Sequence, residues 1–272
     1  RHYGIVRYPL DFTLGGSYPV LLFNHGALEG VQYEDIQFFD SHITPGDFLE
    51  KNFFFVASSY RSEPAEVRQL GTYVSEGQPS ILDYDVDDVM AMLDGVLTHI
   101  PEADPERVAA YGYSRGGALS LLLGCRDSRI ELLADLYGPT NWMTAELRQS
   151  TQMLINQQTD VPPDKLLQQL VMDHAVTPWY EGTMTLAEAR LELIRRSPVF
   201  FADMLPDLEF HHGTDDNVVP VDHSDELNEC LISLGAAAPY FTYFRYPGGL
   251  HNAPSLPGCG ACVETLIASV YY

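Results

Sequence analysis

A serine set among glycines, Gly112-Tyr113-Ser114-Arg115-Gly116-Gly117, follows an apolar run at 108–111 and precedes a small-residue stretch at 116–124 that reads as a helix. In such a setting a sharp strand-to-helix turn lifts the central hydroxyl off the strand end, and flanking glycines let neighbouring chain approach closely. A hydroxyl is a weak nucleophile until a base takes its proton. An imidazole, with an ordinary pKa near neutrality, suits that task. The imidazole in turn needs a carboxylate to fix its tautomer and stabilise its cation. His251, in Tyr246-Pro247-Gly248-Gly249-Leu250-His251-Asn252, is the candidate base. The candidate acid lies in the turn His212-Gly213-Thr214-Asp215-Asp216-Asn217-Val218-Val219-Pro220, which offers both Asp215 and Asp216. The other histidines have structural readings. His212 ends a strand and is expected to hydrogen-bond the turn, and His99 ends a helix. His174 and His223 fall in helix or loop, and His211 precedes the acid and breaks the order.

The turn Asn24-His25-Gly26-Ala27 closes another apolar run, at 18–24. The backbone N–H of Ala27, together with that of Arg115 at a helix start, is expected to hold the oxyanion that forms when a carbonyl is attacked.

The elements that must carry these groups are legible as alternating apolar runs and helical patterns. Strands are expected at 18–24, 53–58, 108–111, 130–137, 207–210 and 241–246. Between them, 80–100 is the clearest helix. Val86, Val89, Met90, Leu93, Val96, Leu97 and Ile100 share one face, Ser80 and Asp83 resemble a cap, and Pro101 ends it. This alternation predicts an α/β class with a mostly parallel, doubly wound sheet and function at the strands' carboxyl ends. Residues 141–196 interrupt the rhythm with helical patterns at 165–172 and 186–195. They are expected to form a helical cap over that edge, between core segments 1–140 and 197–272; the alternative is a surface helical pair with no role.

The 272 residues carry 38 acidic and 15 basic side chains, a net charge of -23, which speaks against nucleic acid or an anionic membrane as partner. Only Lys51 and Lys165 are lysines, a surface suited either to a salty medium or to an ordinary acidic protein. No run of eighteen apolar residues predicts a membrane span, and no signal-peptide pattern is present. The chain starts at Arg1, so processing stays open and no compartment is assigned. Cys259-Gly-Ala-Cys262 lacks a second C-x-x-C or a His pair; it reads as a local disulfide or two plain thiols, with no metal site.

Taken with Tyr60-Arg61, Asp104-Pro105-Glu106-Arg107-Val108 and Ser197-Pro198, the motifs above resemble the catalytic domain of prolyl-oligopeptidase-type serine hydrolases. They also resemble its single-domain dienelactone-hydrolase-like and acetyl-esterase-like relatives. The resemblance covers nearly the whole chain outside 141–196 and implies the α/β-hydrolase fold. In that family the acid stands three residues past the glycine of the His-Gly pair. Carried over, the triad is Ser114, Asp216 and His251, with Asp215 as the fallback acid.

Peptidases of this family usually carry an N-terminal β-propeller, for which this chain has no room. Many also use a tyrosine hydroxyl in the oxyanion hole; the equivalent loop here, Ala27–Tyr33, offers Tyr33 at its far end. Both departures favour hydrolysis of a small-molecule carboxylic ester without cofactor, with Trp142, Trp179, Tyr180, Phe200 and Phe201 lining the substrate pocket. The alternative is a peptidase for short peptides, whose amino terminus Glu29, Glu34 or Asp35 would capture. A third reading is a non-catalytic binding protein of the same fold, against which the intact Ser-Asp-His order speaks. Oligomeric state is not legible.

Overall fold

Strands buried on both faces should be apolar along their whole length rather than alternating. β2 (Tyr18–Asn24) and β4 (Phe54–Ser58) are buried at every position. The structure is a computed structural model that describes residues 1–33, 52–67, 70–156, 168–236, 240–260 and 268. The described elements begin with β1 (Gly4–Arg7), β2, β3 (Val31–Gln32), β4, β5 (Pro64–Val67), β6 (Gly71–Val74) and α1 (Tyr84–His99). They continue with β7 (Ala103–Tyr113), α2 (Arg115–Arg126), β8 (Ile130–Leu136), α3 (Ala145–Ile155) and α4 (Leu186–Arg195). The last are β9 (Asp207–Gly213), α5 (Asp222–Ser233) and β10 (Phe241–Tyr246).

The main sheet has seven strands in the order β1-β4-β2-β7-β8-β9-β10. All its pairings are parallel except β1 with β4. The period of two divides each strand between two cores. Val20, Leu22, Phe54 and Val56 pack with α1, α2 and α5 on one face. Leu21, Phe23, Phe55 and Ala57 pack on the other, beside Tyr137, Ala253 and Leu256. The parallel arrangement gathers the loops after β2, β7, β8, β9 and β10 at one carboxyl edge, the edge where such sheets bind ligands.

Several boundaries differ from the sequence expectation for local reasons. α1 starts at Tyr84 rather than at 80, because Leu82 takes φ 57° and residues 81–83 form a turn. Ser80 does not cap the helix; its Oγ donates to Asp83 Oδ2 at 3.4 Å. The Asp104-Pro105 turn lies inside β7, where the register against β2 shifts between Tyr18 and Val20. A bulge absorbs a residue that has no ladder donor. β1 and the small sheet β3-β5-β6 have no counterpart in the sequence reading.

Segment 141–196 leaves and re-enters the core at one point. The Trp142 N–H donates to Ser197 Oγ at 2.8 Å, and the Val199 N–H donates to the Thr140 carbonyl at 3.1 Å. Within it, Gln168–Val176 is wound as a π-helix, runs into the short helix Thr177–Tyr180, and is followed by α4. α4 carries a capping box, with Thr185 Oγ1 accepting from the Glu188 N–H and Glu188 Oε2 accepting from the Thr185 N–H. Leu170, Val171 and Val176 join the core cluster of α1. Arg195 Nη2 donates to Asp83 Oδ1 at 2.6 Å, and Arg196 Nε to the Ile81 carbonyl at 3.0 Å. The segment therefore rests on the approach to α1. No helix among the described residues is long and apolar enough to cross a membrane.

Candidate active site

Ser114 sits between β7 and α2 with φ 57° and ψ −127°, a region that residues with a side chain rarely adopt. The strain is held by contacts that leave no room for a Cβ on the adjoining glycines. On Gly116 a Cβ would stand 1.9 Å from the Asn24 carbonyl oxygen, and on Gly112 2.3 Å from that of Gly116. The glycines thus serve a close approach of two loops, the serine turn and 24–27. The Ser114 N–H donates to the Leu136 carbonyl at 2.9 Å, tying the turn to β8.

Three side chains from three loops meet here. His251 Nε2 lies 2.9 Å from Ser114 Oγ, and His251 Nδ1 lies 2.7 Å from Asp216 Oδ2. A carboxylate only accepts, so Nδ1–H donates to Asp216 and the free Nε2 lone pair accepts from the serine hydroxyl. Asp216 Oδ1 accepts from the Val218 and Val219 N–H groups, each at 2.9 Å. Burial opposes ionisation of Asp216. Hydrogen bonds from His212, His251 and the two N–H groups outweigh it and hold the carboxyl well below the usual range. Asp215, the fallback acid, is exposed and accepts from Thr214 Oγ1.

His212 supports this acid from behind. Its Nε2 donates to the Val219 carbonyl at 2.8 Å and lies 3.4 Å from Asp216 Oδ2. Nδ1 must then accept from Ser224 Oγ at 2.7 Å. His211 is buried elsewhere, between Glu209 and the Tyr246 hydroxyl. The His174 and His223 rings bond backbone groups: His174 the Gln169 and Pro79 carbonyls, His223 the Thr140 and Asn141 N–H groups.

Of the two expected oxyanion donors, Arg115 follows the serine directly and Ala27 ends the loop packed on the serine turn. The Arg115 N–H belongs to the first residue of α2, where no carbonyl four residues back is available inside the helix and the dipole favours negative charge. Ala27 is exposed, takes φ 50° and sits at the end of the loop packed on the serine turn. Beneath that loop His25 is fully buried. Its Nδ1 donates to the Gly26 carbonyl at 2.9 Å, and its ring stacks on Tyr60. Burial, helped by the charge of Arg115, pushes its pKa down to about 3. An unfolded histidine takes up a proton near pH 6.5, so between about pH 6.5 and 3 the unfolded chain binds a proton that the folded one refuses. Stability contributed here is full above that window and falls as pH drops through it. His25→Asn is expected to flatten the pH dependence of unfolding there by one proton, about 1.4 kcal/mol per pH unit. Urea titrations at pH 4, 5 and 6 measure it; an unchanged slope contradicts the assignment.

The aromatic residues expected to line a pocket are scattered. Trp142 is buried in the core cluster, Phe201 packs against that cluster, and Trp179, Tyr180 and Phe200 are exposed. Among the described residues no ring contact or hydrogen bond joins any of the five to Ser114, Asp216 or His251. The ring against His251 is instead Tyr137, with centroids 4.6 Å apart. Tyr137 itself takes φ 47° just after β8.

Around the serine turn, sequence reasoning missed three buried carboxyls. Glu63 and Asp85 bind the Arg115 guanidinium. Asp135 accepts from the Gly138 N–H and presses against Gly117; burial raises its pKa to about 7 against the pull of His212. Asp85 had a signal, since it falls on the apolar stripe of α1 with Val89 and Leu93. Glu34, Asp35 and Cys262 lie outside the described residues. Cys259 is buried beside the Ala253 carbonyl.

The architecture has solved counterparts. A puromycin-hydrolysing peptidase of Mycobacterium tuberculosis superposes with a TM-score of 0.67 at 16% identity, over 99% of this chain and 37% of that one. This chain has the α/β-hydrolase fold. The acylaminoacyl peptidase of Pyrococcus horikoshii is also similar, with a TM-score of 0.61 at 16% identity over 98% of this chain and 39% of that one. So is dipeptidyl peptidase 4 of Porphyromonas gingivalis, at 0.63 and 15% identity over 99% and 33%. The chain described here therefore spans two fifths or less of the length of these structures. No family model and no curated protein matches the sequence.

Proposed function

We propose that this chain is a serine hydrolase that cleaves short peptides through an acyl-enzyme, with Ser114 as nucleophile, His251 as base and Asp216 as its orienting acid. The observation that carries the reading is the unbroken hydrogen-bonded line from Asp216 through His251 to a serine held at positive φ. In the first step Ser114 Oγ attacks the carbonyl carbon while its proton passes to His251 Nε2. The N–H groups of Ala27 and Arg115 receive the oxyanion. His251 then gives the proton to the departing amine, the C–N bond breaks, and an ester to Ser114 remains. Water attacks that ester by the same route in reverse, and the acid is released.

The choice of amide over ester follows from the solved structures of like architecture, which are peptidases. The ester expected from sequence makes a weaker demand on the same machinery. Segment 141–196, whose end is tied to Ile81 and Asp83 ahead of α1, is the part we assign as a cap that shapes the substrate site. Comparing aminoacyl p-nitroanilides with p-nitrophenyl acyl esters tests the bond. We expect serine-dependent release of p-nitroaniline from at least one aminoacyl or short peptidyl anilide. Turnover of the esters alone, with every anilide inert, contradicts the peptidase assignment and returns the ester.

A further inference from the structure

A guanidinium loses much hydration free energy on burial, so a buried arginine must find partners for its donors. Arg115 is 1% exposed and directly follows Ser114, which is half-buried. Its Nη2 donates to Asp85 Oδ2 at 2.6 Å, its Nη1 to Glu63 Oε1 at 2.6 Å, and the group lies 4.6 Å over the Tyr60 ring. Two carboxylates and an aromatic face would satisfy a structural ion pair. Nη1 makes one bond more, to the Ala27 carbonyl at 2.8 Å.

That extra bond falls on the loop that flanks Ser114. Ala27 has φ 50°, a conformation that costs an L-residue about 1–2 kcal/mol and reverts unless something holds it. In a trans peptide the carbonyl of one residue and the N–H of the next point in opposite directions. The Gly26 carbonyl, which shares a peptide unit with the Ala27 N–H, is turned inward to His25 Nδ1. The Ala27 N–H is thereby turned outward. The next carbonyl, that of Ala27 itself, is gripped by Arg115. The outward N–H is held between two inward carbonyls.

We propose that the Arg115 side chain is a positioning residue for the oxyanion hole: its guanidinium fixes the Ala27 N–H while its own backbone N–H supplies the second donor. The proposal rests on the serine-hydrolase reading above. The two donors lie on separate loops, and the single residue joins them without touching the substrate through its side chain. The buried pair Glu63 and Asp85 keeps the guanidinium charged and fixed in place.

The test compares the wild-type chain with Arg115→Lys and Glu63→Gln. Lysine keeps the charge between the two carboxylates but lacks the fork that also reaches Ala27. Turnover of p-nitrophenyl acetate and the second-order rate of inactivation by a fluorophosphonate are measured, since both place a developing oxyanion in the hole. Arg115→Lys is expected to lower kcat about 10²-fold, with KM within about twofold and the inactivation rate reduced by a similar factor. Its pH profile should keep the wild-type shape, because His251 and Asp216 are untouched. Glu63→Gln is expected to lower kcat about threefold to tenfold, the smaller loss of a loosened clamp. Wild-type kcat in folded Arg115→Lys, or a loss confined to KM, overturns the role of Arg115 alone. Wild-type kcat in Glu63→Gln overturns it even where the lysine variant fails to fold. A wild-type chain inert to the fluorophosphonate overturns the serine-hydrolase reading instead, and this proposal with it.

Discussion

Ser114→Ala is expected to lower kcat about 10⁶-fold and to leave the fold intact. Ser114 Oγ bonds His251 Nε2, and its removal deletes that contact alone. Alanine carries the same Cβ as serine, so the backbone strain at φ 57° is unchanged. The loss is large because, in the proposed mechanism, the hydroxyl forms the covalent bond to the acyl group and no neighbouring group replaces it. What survives is the small acceleration from the oxyanion donors and binding. Steady-state turnover of the best anilide or ester, with thermal melting alongside, measures both halves. A melting temperature near wild type with turnover within tenfold of wild type would contradict the assignment.

Asp216→Asn is the second large effect, expected at about 10⁴-fold in kcat. The argument is one of tautomers. Asp216 Oδ2 accepts the proton on His251 Nδ1, which leaves Nε2 free to accept from Ser114. An asparagine whose oxygen stays with the Val218 and Val219 N–H groups turns its NH₂ towards His251. Nδ1 must then accept, the proton moves to Nε2, and the serine faces a donor instead of a base. Asp215→Asn is the control. That carboxylate is exposed and accepts from Thr214 Oγ1, while His251 Nδ1 bonds Asp216, so the change should stay within a few-fold. Equal losses in both variants, or a larger one at Asp215, would contradict the tautomer argument. Fluorophosphonate inactivation rates follow the same order without requiring the natural substrate.

Much of this site can be read before any coordinates because its parts are short and local. Gly112 to Gly117 declares a turn through glycines that two loops need for contact. The strands declare themselves through unbroken apolar runs such as 18–24. What stays hidden is whatever depends on distant partners. Glu63 and Asp85 are charged residues that become buried only because Arg115 reaches them. Their burial follows no local pattern, apart from the place of Asp85 on an apolar stripe. The start of α1 shifts because Leu82 takes a left-handed conformation that Ser80 and Asp83 do not announce. β1 is only four residues long and is fixed by its antiparallel neighbour β4. Trp142, Trp179, Tyr180, Phe200 and Phe201 are pocket candidates by ring type and place in the chain alone. Ring type says little about direction, and the ring beside the imidazole is Tyr137, which appears in the sequence as the end of a strand.

The reading as a whole stands on a hydroxyl made reactive by its neighbours, and that reactivity can be read atom by atom. The folded chain is treated with a fluorophosphonate, its intact mass recorded, and the modified peptide sequenced by tandem mass spectrometry. The expected result is a single adduct, carried by Ser114, absent from the acid-unfolded protein and strongly slowed in Asp216→Asn. A native chain that gains no mass, or gains it on another residue while Ser114 stays free, would contradict the account.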